Sequence, residues 1–577
     1  MIESQQILKK YFGYDGFRPG QEKLITAVLN GRDVQGIMPT GAGKSLCFQI
    51  PALMLDGITI VISPLISLMK DQVAALNAAG IHAAYLNSSL TPGQFRKALE
   101  YAKNGRYKII YVAPERLDTD RFLDFALSPG VDIPFLAVDE AHCVSQWGQD
   151  FRPSYLKIMD FVDRLPHRPV IGAYTATATR QVRNDVLKIL RLQNPVSVTT
   201  GFDRDNLYYA VKKPADKYSA LRYYIREKED AMPGLSGIVY CGTRKNVDEV
   251  TRRLQEDGYS AAAYHAGLSE EERNANQEAF INGDIQIMVA TNAFGMGIDK
   301  SDVRFVVHYN MPKDMESYYQ EAGRAGRDGE MAECLLLYSG QDVKLNEFLI
   351  EKDKENDELT EEQKAIIKER DRERLKKMTF YCFSKYCLRS YILEYFGEPR
   401  VKNCGNCSVC LGLGTGEKPS SAKSKGYGYR SGGSGRPKGA RESGAYGDYG
   451  DYADTADFYA GYDDYSQANG YIEDYGRAGA GTSPAAGKKG GSGKKPSMAD
   501  LNEKERKIFE SLRSLRTEIA RENQTHPYII FSDKTLIEMC RVMPRNREEL
   551  LGVSGVGEYK LNQYGKRFLD TINALRQ

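Results

Sequence analysis

No window of the chain approaches the roughly 18 uninterrupted apolar residues that a membrane-crossing helix needs. The opening stretch MIESQQILKKYFGYDGF also lacks the apolar core of a secretory leader. A cytoplasmic protein with no membrane partner is therefore expected. An excess of charge of either sign is missing too: 79 Lys and Arg against 77 Asp and Glu leave +2, so any basic surface has to be local. Aliphatic side chains nearly vanish from residues 413–497, where AYGDYGDYADTADFYAGYDDY lies between two basic flanks. So few apolar groups cannot offset the entropy of ordering, and the tract is expected to be a disordered Gly/Tyr/Asp/Lys-rich linker. Tryptophan occurs once, as Trp147.

What is present is patterned. Up to about residue 340, apolar runs (ITIVIS, KIIYVAPE, FLAVDE, PVIGAYTA, then SGIVYC, IQIMVAT, VRFVVHY, ECLLLY) alternate with helical segments. Strands apolar on both faces and separated by helices imply parallel sheets covered on both sides, hence an α/β fold. The series suffices for two such domains, 1–205 and 206–340, with the boundary near TTGFDRDNLYYAVKK. Residues 341–395 are highly charged and helical, which reads as a solvated helix face. They open a module, 341–412, that ends in a cysteine cluster. Helical periodicity returns over 498–577, enough for a small all-α domain.

DVQGIMPTGAGKSLCFQIPAL is an apolar strand, a glycine turn and a helix start, the arrangement that binds phosphate through backbone N–H groups. Thr40, Gly41 and Gly43 shape the loop, Lys44 would reach the β/γ-phosphates, and Ser45 would ligate Mg²⁺. Met38 stands where the strict motif has its first glycine. About ninety residues on, FLAVDEAH ends a strand in two carboxylates. Asp139 would hold Mg²⁺, and Glu140 would orient or deprotonate the attacking water. ESYYQEAGRAGRDG supplies Gln320, Arg324 and Arg327 from the second domain, and arginines there could meet the transition-state charge when the cleft closes. The pattern implies ATP hydrolysis coupled to domain motion.

Cys404, Cys407 and Cys410 form two overlapping C-x2-C units, which with one upstream cysteine suit a closed structural Zn²⁺ site of four thiolates; a redox C-x2-C is the alternative, disfavoured because it belongs beside a thioredoxin-like βαβ pattern rather than a charged helix. By spacing alone Cys382 and Cys387 compete for the fourth place. Cys47, Cys143, Cys241 and Cys334 stand singly and read as reduced core thiols.

Together these motifs resemble the superfamily 2 helicases, and SPLISLMKDQ, AYTATAT, FDRDNL, YCGTR, YHAGL and ATNAFGMGIDK bring the resemblance to the bacterial RecQ DNA helicases. It covers residues 1 to about 412 and resumes at about 498. It implies two tandem RecA-like domains, and Cys387 as the fourth zinc ligand. FGYDGFRPGQEKLI is similar to the family's adenine-sensing segment, implying that Tyr14, Arg18 and Gln21 contact the base. HCVSQWGQDFRPSY is similar to its aromatic-rich loop, implying that Trp147, Phe151 and Arg152 meet single-stranded DNA. His142 would link the ATP site to Gln320 across the cleft. The implied activity is ATP-dependent 3′–5′ translocation on single-stranded DNA with unwinding of duplex DNA, in recombination and repair. Single-strand-binding or recombination proteins are the candidate partners. An RNA helicase and a non-enzymatic DNA-binding scaffold are the alternatives.

LLGVSGVGEYKLNQYGKRFLDTI resembles the end of the helical HRDC domain. Gly552, Gly555 and Gly557, with Lys560 and Lys566, could present backbone N–H groups to a DNA phosphate, or simply connect two helices. Typical bacterial RecQ proteins carry a winged-helix domain between the zinc cluster and HRDC. Here the aliphatic-poor tract occupies that place, so strand separation by a wing is not carried over.

Overall fold

The computed structural model describes residues 2–148, 150–231, 234–294, 300–352, 360–400, 402–413, 501–523, 525 and 527–576. The expected linker, apart from Leu413, lies outside the described residues.

Seven parallel strands form the first sheet: β1 (Val34–Ile37), β2 (Thr59–Ile62), β3 (Ala83–Leu86), β4 (Ile109–Val112), β5 (Phe135–Val138), β6 (Val170–Thr175) and β7 (Val196–Thr199). Their spatial order is β3-β4-β2-β5-β6-β1-β7. The second sheet has six parallel strands, β8 (Leu207–Lys212), β9 (Ser236–Tyr240), β10 (Ala261–Tyr264), β11 (Ile287–Ala290), β12 (Val303–His308) and β13 (Ala332–Leu337), in the order β10-β11-β9-β12-β13-β8. Strands β1, β2, β4 and β5 are buried at every residue, because helices cover both faces. Register places the chemistry: Ile37 of β1 pairs with Thr175 of β6, and Ile62 of β2 with Val138 of β5. The segments after these strands therefore emerge side by side at one rim, where open α/β sheets bind ligands.

Helices Gly340–Lys352, Glu361–Cys382 and Leu388–Tyr395 lead into the cysteine cluster. Thr360 starts the long helix with a reciprocal capping box to Gln363. Most charges of the long helix face solvent as expected, and two arginines of the segment depart from that reading. Arg374 and Arg389 are buried in this segment, held by partners from the two sheet domains. The C-terminal residues form the helices Glu503–Glu522, Pro527–Ile530, Asp533–Val542, Arg547–Leu551 and Glu558–Ala574 around a core of their own. Among the described residues no helix is long and apolar enough to cross a membrane.

Candidate nucleotide and nucleic-acid site

The loop between β1 and the helix Leu46–Met54 turns on two left-handed glycines, Gly41 (φ 83) and Gly43 (φ 79). Met38, at the place of the motif's first glycine, is fully buried with its sulfur 3.6 Å from Cys47 Sγ. That position serves the core, which is why glycine is dispensable there. Gln21 Nε2 donates to the Gly43 carbonyl at 2.8 Å and to that of Ala42 at 3.2 Å. Arg18 donates to the Gly41 carbonyl, and its own N–H donates to Gln21 Oε1 at 2.8 Å. The segment expected to sense the base thus also braces the phosphate loop. Tyr14 stands exposed at its start.

Lys44 Nζ lies 3.1 Å from Asp139 Oδ1 and 3.0 Å from Glu140 Oε1. Burial opposes the Lys44 charge, but the two carboxylates outweigh it and its pKa is raised. Burial would also raise Glu140, yet Lys44 and His142 hold it well below the ordinary carboxylate range. Asp139 moves the other way, raised by burial with Lys44 opposing. Glu140 adopts a left-handed backbone (φ 47), uncommon without glycine and held by its surroundings. A cation between two buried carboxylates is the charge arrangement a divalent ion would meet, so these residues fit Mg²⁺.

His142 does not touch Gln320. Its Nδ1 is 2.8 Å from Thr175 Oγ1 and 3.3 Å from Glu140 Oε2. Thr175 Oγ1 in turn bonds the Thr177 backbone, and Gln320 Nε2 donates to Thr177 Oγ1 at 3.1 Å. The expected link across the cleft therefore runs through two threonines at the end of β6. His142 is raised to about 10: burial opposes, and Cys143 and Glu140 outweigh it.

The two arginines of the second domain part company. Arg324 is buried against Tyr240 inside its own domain. Arg327 faces the phosphate loop, where a Cβ built on Gly41 would lie 3.9 Å from its Cγ. Sequence reasoning missed Arg204, within the quoted FDRDNL. Its guanidinium reaches the Thr40 carbonyl at 3.4 Å and those of Gly323, Ala325 and Gly326 at 3.3, 3.0 and 2.9 Å. It joins the phosphate loop to the arginine-bearing turn.

The aromatic loop folds back on the short helix Ala141–Val144 that follows the two carboxylates. A Cβ at Gly148 would stand 2.1 Å from the His142 carbonyl oxygen, so only glycine allows this approach. Trp147 is 40 % exposed and Phe151 half-buried. Arg152 is engaged within the domain, donating to Asp150 Oδ2 at 2.9 and 3.1 Å and to the Pro64 carbonyl at 2.8 Å.

The sulfurs of Cys387, Cys404, Cys407 and Cys410 all lie within 4.8 Å of one another. Tetrahedral Zn–S bonds of about 2.3 Å require sulfurs about 3.8 Å apart, and Cys404 and Cys410 are at 4.0 Å. Backbone N–H groups of Ser390, Asn406 and Cys410 donate to three of the sulfurs, which favours thiolates. Cys382 is buried at the end of the long helix, outside the group. The four single cysteines are free and buried.

Of the three C-terminal glycines only Gly555 is left-handed (φ 89). Its N–H donates to the Gly13 carbonyl at 2.8 Å, and a Cβ on Gly557 would stand 2.7 Å from the Lys10 carbonyl. The turn docks on the N-terminal helix through the Gly555 amide, one of the two uses the sequence left open for it being a simple connection between helices.

Four families match in sequence: DEAD/DEAH box helicase over 18–185, Helicase conserved C-terminal domain over 216–329, RecQ zinc-binding over 340–411 and HRDC domain over 505–572. The ATP-dependent DNA helicase RecQ of Bacillus subtilis (strain 168) is 41 % identical over 99 % of this chain and 98 % of its own. Its namesake from Haemophilus influenzae (strain Rd) is 37 % identical over 98 % of this chain and 95 % of its own. The DUF1998 helicase MrfA, in a crystal structure with DNA, shares the fold at 20 % identity, TM-score 0.50, over 70 % of this chain and 59 % of that one. With two-sheet motor, zinc-binding module and HRDC domain matched in order, the chain belongs to the RecQ family of ATP-dependent DNA helicases.

Proposed function

We propose that this chain hydrolyses ATP with Mg²⁺ to move 3′ to 5′ along single-stranded DNA and to part duplex DNA, in a recombination and repair setting. The observation carrying the ATP turnover is Lys44 between Asp139 and Glu140, with Arg327 facing the same phosphate loop from the second domain; DNA as the track follows from the family, and the direction and setting from the resemblance alone. Lys44 and the loop amides would hold the β- and γ-phosphates, and Tyr14, Arg18 and Gln21 the base side. Asp139 and Ser45 would carry Mg²⁺, which supplies charge neutralisation on the phosphates. Glu140, kept ionised by Lys44 and His142, accepts a proton from the attacking water. Arg327 meets the charge that develops on the γ-phosphoryl group, and Arg204 ties its approach to the Thr40 loop. The cleft thus responds to the nucleotide state. Cys387, Cys404, Cys407 and Cys410 would hold a structural Zn²⁺.

A strand-displacement assay with 3′-tailed, 5′-tailed and RNA-tailed duplexes tests this reading. ATP-dependent release from the 3′-DNA-tailed substrate is expected. Release only from 5′ tails reverses the polarity, preference for RNA tails favours an RNA helicase, and DNA binding without turnover favours a scaffold.

A further inference from the structure

On the zinc-module helix Glu361–Cys382, Arg370 and Arg374 are one turn apart and so share a face. Neither reaches into solvent alone. The Arg374 guanidinium donates to the backbone carbonyl of Trp147 and, at 3.0 Å, to that of Gly148. A third bond, 3.0 Å, goes to Asp371 Oδ1. The same long helix meets the Gln320-bearing helix Met315–Ala322 directly, Tyr381 Oη donating to Tyr318 Oη at 3.1 Å, and the carboxylates of Glu316 and Asp314 at that helix's start add negative charge toward Arg374. Arg370 lies over the Trp147 indole, 3.6 Å from the ring centroid, and donates to Gln146 Oε1 at 3.4 Å. A buried guanidinium is costly unless its donors are matched. Arg374 spends them on two carbonyls of the first domain while facing carboxylates of the second, so its place is specified by both.

We propose that Arg370 and Arg374 are positioning residues that hold the aromatic loop ready for DNA, Arg370 backing the Trp147 ring and Arg374 tying the loop's backbone to the Gln320-bearing helix. The zinc module then acts in DNA-dependent ATP turnover as well as in folding. A base stacking on the open side of Trp147 finds an indole already oriented, with a cation behind it. The same displacement of the loop pulls, through Arg374, on the helix whose Gln320 touches Thr177. This inference rests on the reading of Trp147 as a DNA contact.

Trp147 is the chain's one tryptophan beside 37 tyrosines, so emission excited at the red edge, where only indole absorbs, reports this loop alone. ATP turnover and emission are measured against oligothymidylate concentration for the full-length protein and for Arg370→Ala, Trp147→Ala, the double variant and Arg374→Lys. Arg370→Ala should raise the half-saturating oligonucleotide concentration about 2- to 5-fold, the range of an exposed cation–π contact, and should shift the DNA-free emission. In the Trp147→Ala background the same substitution should add nothing. Arg374→Lys keeps the charge but has no second nitrogen to bond Asp371 Oδ1 while the first bonds the two carbonyls, and should lower the maximal DNA-stimulated rate. An unchanged curve or emission for Arg370→Ala, or an equal loss without Trp147, overturns the proposal. If Trp147→Ala itself leaves the DNA response intact, the reading of Trp147 fails and takes the inference with it.

Discussion

The zinc module and the HRDC domain both follow the two-sheet motor, yet the first shares the motor's apolar core whereas the second closes its own. Leu375, Met378, Leu388, Phe396 and Cys407 belong to the buried cluster that also holds Leu136, Phe202 and Tyr319. Phe396 stacks on Phe202 at 4.4 Å between ring centroids. Arg389 reaches back to Asp203 Oδ1 at 2.6 Å and the Leu207 carbonyl at 2.7 Å. HRDC instead packs Phe509, Leu512, Leu536 and Phe568 among themselves. It meets the motor through the Gly555–Gly13 hydrogen bond, a 3.6 Å Arg521–Asp284 ion pair and the Tyr559 ring over Gly80. Apolar burial scales with area and links folding of the parts, while one turn-to-turn contact, one partly covered ring and one exposed ion pair remove little apolar area from water. One body is built in; the other is docked.

The largest expected effect tests the built-in side. Structural zinc contributes on the order of 10 kcal/mol in small modules, and here the module's core is the motor's. Cys407→Ser should abolish bound metal and lower the motor's melting transition with the module's, by calorimetry and metal analysis. Cys382→Ser, outside the four sulfurs, should keep one zinc. A motor transition unmoved by zinc loss would show that the shared cluster does not link the two.

Next in size is Phe396→Ala. Removing a fully buried ring costs about 3–5 kcal/mol, and this ring touches Phe202 and Tyr319 from the two sides of the domain boundary. The motor transition in calorimetry should fall while the HRDC transition stays. A fall in both would mean that HRDC is not independent.

The same contrast explains what could be read in advance. Central strands announced themselves because both faces are buried, as in the uniformly buried β1, β2, β4 and β5. The strands that did not stand out, β3, β7, β8 and β10, are the four sheet edges. Val196–Thr199 alternates half-buried and exposed, and Ala261–Tyr264 is mostly alanine, so neither makes an apolar run. In the site, Lys44, Asp139, Glu140 and the C-x2-C pairs are legible because their chemistry demands local spacing. Arg204, Arg370 and Arg374 are not, since their meaning lies in partners far along the chain: 164 residues from Arg204 to Thr40 and 227 from Arg374 to Trp147. A charge run looks the same whether its arginines meet water or a carbonyl. The resemblance implies a link from His142 to Gln320, but the threonines that make it, Thr175 and Thr177, lie 33 residues and more from His142 and come beside it only because β6 brings them there.

The smallest expected effect belongs to the docked side, at Tyr559. Its ring is 42 % exposed and lies outside the HRDC cluster, so Tyr559→Ala should leave both melting transitions in place. What it removes is the ring's cover over Gly80, where a Cβ would stand 2.6 Å from the aromatic edge. Partial burial of one ring is worth about 1 kcal/mol of docking, and a local opening that much easier is about fivefold more populated. The Gly555 N–H, bonded to Gly13 at 2.8 Å, reads this directly, because its exchange with solvent requires undocking and no unfolding. Native-state hydrogen exchange at Gly555 should therefore quicken about fivefold, with amides inside the HRDC helices unchanged. Equal quickening throughout the HRDC helices would mean that the contact supports the domain's fold, and the distinction between built-in and docked would then fail on the HRDC side.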